Sequence, residues 1–145
     1  MRTAAETIAS AIRDALSSWG DGPACPAVLV EDKGDMLFEL QSALESSGVY
    51  VTVATPGFTR RNNTAGILQG TLEIDVTAFE NVKANREQPD FLTAQGIAQR
   101  IASALHWKKI DGFISPLRVL SIRRTDPSDA ISSATVSLSA EYILS

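Results

Sequence analysis

The stretch Gly66–Trp107, GILQGTLEIDVTAFENVKANREQPDFLTAQGIAQRIASALHW, decides the fold class. It reads as a long strand, a polar crossover and an amphipathic helix. Leu68, Leu72, Ile74, Val76 and Ala78 fall on one parity, and Thr71, Glu73, Asp75 and Thr77 fall on the other. That alternation is the period-2 pattern of a sheet with one buried face. Ala94, Ile97, Ala98, Ile101 and Leu105 then recur at helical spacing, with Gln95, Gln99, Arg100 and Ser103 outside the stripe. The two stripes predict a helix packed on a sheet, with Leu72, Ile74, Val76, Ile97, Ile101 and Leu105 in the core.

Upstream, Ala5, Ile8, Ile12, Ala15, Leu16 and Trp19 form a second helical stripe, and Thr3 with Glu6 is a capping-box pair. Pro23 and Pro26 bracket a turn. Ala27–Glu31 reads as a short strand, Glu31–Asp35 as a polar corner, and Met36–Ser47 as a helix that Gly48 ends. Val49–Val53 is β-rich. The twelve residues that follow, TPGFTRRNNTAG, show no core pattern and read as a long loop; connections of that length are often functional. Downstream, Lys108–Ser115 reads as a loop, Pro116 opens a strand to Arg124, Asp126–Asp129 is a turn, and Thr135–Leu144 alternates as a last strand. The predicted class is α+β. An N-terminal helix precedes a ferredoxin-like β-α-β-β-α-β core with an added C-terminal strand, in a mostly antiparallel sheet with helices on one face.

Residues 1–145 read as a single domain. Net charge is −4, from 13 basic and 17 acidic residues, which argues against a sequence-independent grip on DNA. The apolar runs are too short to cross a membrane. The N-terminal stretch carries Glu6, Arg13 and Asp14 through its apolar pattern, unlike the core of a signal peptide. Cys25 stands alone and has no internal disulfide partner. These features predict a soluble, cytoplasmic chain.

No catalytic constellation emerges. His106, the single histidine, lacks a nucleophile or further metal ligands at useful spacing, and reads as a helix-end residue bonded to a carbonyl. Glu31, Asp32, Asp35 and Glu80 carry the alternative of a small metal-dependent enzyme, weighed against a solvated loop with one capping carboxylate. A monomeric ligand-binding module is the other alternative, and the polar second face of the sheet argues against its closed apolar cavity. Glu73 and Asp75 are more simply read as a strand face lining an interface or a channel. Arg60-Arg61 and Arg123-Arg124 are basic doublets without interleaved aromatics. The composition and motifs point to no cofactor.

Three features, in this order and spacing, resemble the tail-terminator and tail-completion proteins of long-tailed phages and prophages. Val28-Leu29-Val30-Glu31-Asp32-Lys33-Gly34-Asp35 leads into a helix and a Gly48-Val49-Tyr50-Val51 strand. A long strand ends in Phe79-Glu80-Asn81 and is followed by Asn85-Arg86. A helix ends in Leu105-His106-Trp107 before two C-terminal strands. The resemblance implies a structural virion protein, without enzymatic activity, located at the tail or neck and in the host cytoplasm during assembly. Its partners would be itself, in a ring of about hexamer size, the tail-tube protein, and a head-completion or connector protein. It leaves room for DNA to pass through the ring, with no sequence-specific binding and no membrane. It also implies an interface loop at Phe58, Thr59, Arg60, Arg61, Asn62 and Asn63. Glu73, Asp75, Arg123 and Arg124 are the candidate interface charges.

Overall fold

The computed structural model describes residues 3–17, 27–30, 48–60, 66–86, 93–110, 112–125 and 131–144. In chain order the described elements are α1 (Ala4–Ser17), β1 (Ala27–Val30), β2 (Val49–Val53), β3 (Gly57–Arg60), β4 (Leu68–Asn81), α2 (Val82–Arg86), α3 (Ala94–Leu105), β5 (Arg118–Thr125) and β6 (Ile131–Leu144). Cys25, the Glu31–Asp35 corner, the Met36–Ser47 helix, Arg61–Asn63 and the Asp126–Asp129 turn lie outside the described residues.

The spine of the sheet is the antiparallel ladder of β4 and β6, unbroken from Leu68 opposite Leu144 to Asn81 opposite Ile131. Across the sheet the order is β1-β2-β4-β6-β5, with β3 also paired to β4. Only β1 and β2 run parallel; the other pairs are antiparallel. The α+β class, the N-terminal helix and the mostly antiparallel sheet are as the sequence predicts. The lateral order differs from a split β-α-β arrangement, which would seat a strand between β1 and β2; these two pair directly. Alternation reports which face of a strand is buried and carries no information about its lateral neighbour.

Both long helices cover one side of the sheet: α3 sits on the face made by Leu72, Ile74, Val76 and Ala78 of β4 and Ala134, Val136, Leu138 and Ala140 of β6, and α1 sits beside α3 over β1 and β2. Ile8, Ile12 and Leu16 of α1 and Ile97, Ile101 and Leu105 of α3 complete one core. The Thr3–Glu6 box closes as predicted: Glu6 N–H donates to Thr3 Oγ1 and Thr3 N–H to Glu6 Oε2, each at 3.2 Å. Thr93 caps α3 by accepting from the Gly96 N–H at 3.0 Å.

β3 is a correction to the predicted loop. Phe58, Thr59 and Arg60 are paired to β4, and Phe58 packs against the core. Between Val53 opposite Val76 and Gly57 opposite Glu73, three residues (Ala54, Thr55, Pro56) face two (Ile74, Asp75). This bulge shifts the inward parity from odd (Val49, Val51, Val53) to even (Phe58), which hides the strand from a period-2 reading. Gly70 lets β3 come close: a Cβ there would lie 2.0 Å from the Thr59 carbonyl oxygen. β6 also starts earlier than Thr135, at Ile131.

Candidate interaction surface

Two sets of polar residues have defined geometry, one inside the molecule and one on its surface. The inner set centres on Glu80, which is fully buried near the end of β4. Its Oε2 accepts from Asn85 Nδ2 at 2.6 Å and lies 3.5 Å from Arg86 Nε; its Oε1 accepts from the Ala94 N–H at 3.3 Å. One carboxylate therefore ties the strand to α2 and to the first turn of α3, where the helix dipole favours negative charge. Next to it, Gly48 is buried at φ +78, and a Cβ there would lie 2.6 Å from the Asn85 nitrogen. The Glu80-Asn81 and Asn85-Arg86 pattern is thus a structural joint. Of the four carboxylates in the metal alternative, Glu80 is occupied by this joint; Glu31, Asp32 and Asp35 lie outside the described residues. No group of three potential metal ligands occurs among the described residues.

The outer set lies on the opposite face of the sheet, over the central and β5 strands. The odd-numbered residues of β4 and β6 form polar cross-strand pairs there. Thr71 Oγ1 donates to Glu141 Oε1 at 3.0 Å, Thr77 and Thr135 hydroxyls meet at 3.0 Å, and Ser137 Oγ donates to Asp75 Oδ1 at 2.8 Å. Arg123 reaches the other Asp75 oxygen at 3.9 Å. Glu73 and Arg118 are exposed on the same face, and their side chains make no hydrogen bond or ion pair with a described residue.

The predicted charge sites are therefore only partly brought together. Asp75 and Arg123 pair within the chain, while Arg124 sits opposite Ala134 and so belongs to the other face. The Arg123-Arg124 doublet is split by strand geometry. Arg60 ends β3 at the far end of β4, where Ile67 and Leu68 are also exposed.

His106 and Trp107 guard the edge of β5. His106 Nδ1 accepts from the Val119 N–H at 3.1 Å, which corrects the expected bond to a carbonyl. Trp107 N–H donates to the Leu117 carbonyl at 2.7 Å, and the Leu117 N–H donates to the Lys108 carbonyl at 3.0 Å. These bonds use backbone groups that a bare edge strand would leave open. They also hold Trp107 in the left-handed region at φ +62, with the residue 63% exposed. Sequence reading missed Trp107 and Arg118 as surface features; a tryptophan two residues past Leu105, the last core position of the helix, was the available signal. A hollow of about 390 Å³ lies beside them, lined by Thr71, Trp107, Ser115, Arg118, Ser139 and Glu141 among others. A second, of about 380 Å³, is lined by Glu73, Asp75, Leu120, Ser121, Arg123 and Ser137 among others.

No family model matches the chain, and no curated protein matches it. Its fold does match solved structures. One is a chain from the virion of a native gene transfer agent particle, with a TM-score of 0.64 and 12% identity, covering 99% of this chain and 100% of that one. Another solved chain aligns with a TM-score of 0.51 and 16% identity, over 99% and 98% of the two chains. At these identities the likeness is one of fold.

Proposed function

We propose that this chain is a non-enzymatic structural subunit of a phage-type virion. The observation that carries the reading is the end-to-end match with a chain of a gene transfer agent virion. A likeness running the full length of both chains makes the whole domain, and not a shared motif, the common feature. The described polar residues agree with it: the buried carboxylate holds the fold together, and the exposed charges lie on an open sheet face, where macromolecules meet more readily than small substrates do.

More finely, we place the subunit in the tail-terminator group. In that role copies assemble as a ring, of hexamer size in the family it resembles, that caps the tail tube and meets the head-completion or connector protein. The β3–β4 hairpin end, with Arg60 in its strand and Arg61, Asn62 and Asn63 beyond it, serves as the arm toward a neighbour or the tube. Since Phe58 and Thr59 are part of the sheet, the arm is tested by charge and not by deletion. Sedimentation of the full chain, alone and with a phage tail-tube protein, is the direct experiment. The expected result is a ring-sized species or a complex with the tube, weakened by Arg60→Glu with Arg61→Glu and by added salt. A chain that forms no ring and ignores the tube protein would overturn the terminator reading.

A further inference from the structure

The open face of the sheet carries two uncommitted charges of opposite sign in one lateral row. Glu73 lies opposite Ser139 on β6, and Ser139 lies opposite Arg118 on β5. The two are separated by two inter-strand spacings, roughly 10 Å at about 4.8 Å each. In the row beside them the arrangement differs: Arg123 reaches back to Asp75, so that pair is closed within the chain. Glu73 and Arg118 both project from the face with Ser139 between them.

We propose that this face docks on the same face of a second copy about a two-fold axis near Ser139, with Glu73 of each copy pairing with Arg118 of the other. A contact between identical faces is isologous, so each interaction occurs twice, and two opposite charges either side of the axis are self-complementary. The surroundings fit this occupant. Each hollow is bordered by one large exposed apolar side chain, Trp107 at 63% and Leu120 at 50%. Trp and Arg are residue types that concentrate binding energy at protein contacts. Leu120 stands out because it is the extra residue where the β5 register shifts between Val119 and Ser121. Charge also decides against nucleic acid here: Glu73, Asp75 and Glu141 outnumber Arg118 and Arg123 on this face, so a phosphate backbone would meet net repulsion.

This contact does not depend on the virion reading. A ring needs head-to-tail contacts through two different surfaces, whereas a two-fold face closes at a pair, or joins two rings back to back. The experiment is sedimentation velocity of the full chain over a dilution series, with circular dichroism to establish folding. Wild type is expected to self-associate reversibly, less so at high salt. Glu73→Arg and Arg118→Glu should each weaken association by roughly 10-fold or more, because like charges then face each other. The double variant Glu73→Arg/Arg118→Glu should regain it, since both pairs return with reversed sign. The proposal is overturned by singles that associate like wild type, by a double variant no better than the singles, or by a wild type that stays a single copy. Loss of ring-sized species with the pair retained counts against the terminator reading alone.

Discussion

At its C-terminal end β4 runs between β2 and β6 and delivers Glu80 into a site without solvent access; at its N-terminal end it runs between β3 and β6, and Ile67 and Leu68 stand exposed. One strand with one alternating pattern thus meets two environments. What differs is the cover. Over Val76 and Ala78 lies the helix layer, and α2 turns back on Glu80; beside Gly70, on the side away from β6, lies the four-residue β3. The inner end therefore carries fold stability, and the outer end stays open to solvent, with Ile67 and Leu68 exposed. Each substitution below tests that division.

The largest effect is expected at the inner end. Glu80→Ala removes the acceptor for both the Asn85 amide and the Ala94 N–H in a closed site. Leaving buried donors and a nearby cation without their partner should cost about 3–5 kcal/mol. That is comparable to Ile101→Ala, about 2–5 kcal/mol through transfer and cavity terms. Urea denaturation measures both. A Glu80→Ala loss below about 1 kcal/mol would mean that water reaches the joint and that the two ends are alike.

An intermediate and more local effect is expected at the outer end. Gly70→Ala drives a Cβ into the Thr59 carbonyl, and backbone cannot yield as a flexible side chain would. The strain should cost about 1–3 kcal/mol, and it can be relieved by letting β3 lift from β4. Amide exchange should therefore rise at Thr59 and Arg60 while the amides of Val76–Phe79 stay protected. Equal loss of protection along all of β4 would contradict the division into two ends.

The helix-covered half of this molecule was readable from its sequence because burial there follows one periodicity throughout. Leu72, Ile74, Val76, Ile97, Ile101 and Leu105, the core expected from pattern alone, are all buried. The outer end was harder for identifiable reasons. The bulge at Ala54–Pro56 changes parity in mid-strand, so Phe58 falls out of phase with Val53. Arg123 and Arg124 look like one basic cluster in sequence, yet adjacent strand residues point to opposite faces. Glu80 shows the same limit from the other side: its partners Asn85, Arg86 and Ala94 follow a turn that polar residues alone do not specify. Lateral strand order has no signature in alternation at all.

The smallest effect is expected on the open face. Asp75 and Arg123 are joined at 3.9 Å, but their side chains are 49% and 68% exposed, so water screens the pair. Asp75→Asn keeps an oxygen of the right shape for the Ser137 hydroxyl and removes only the charge. The expected cost is within about 0.5 kcal/mol, a melting shift of at most a few degrees for a domain of this size. The measurement gains meaning when repeated across protein concentration. If the loss stays small in dilute and concentrated samples alike, the face is solvated and Asp75 is a bystander to assembly. A loss that grows with concentration belongs to a contact between copies, because only the associated state would then have desolvated the charge. A loss above about 1 kcal/mol in dilute protein would show that the face is covered within a single copy, and the contrast between the two sides of the sheet would fail at that point.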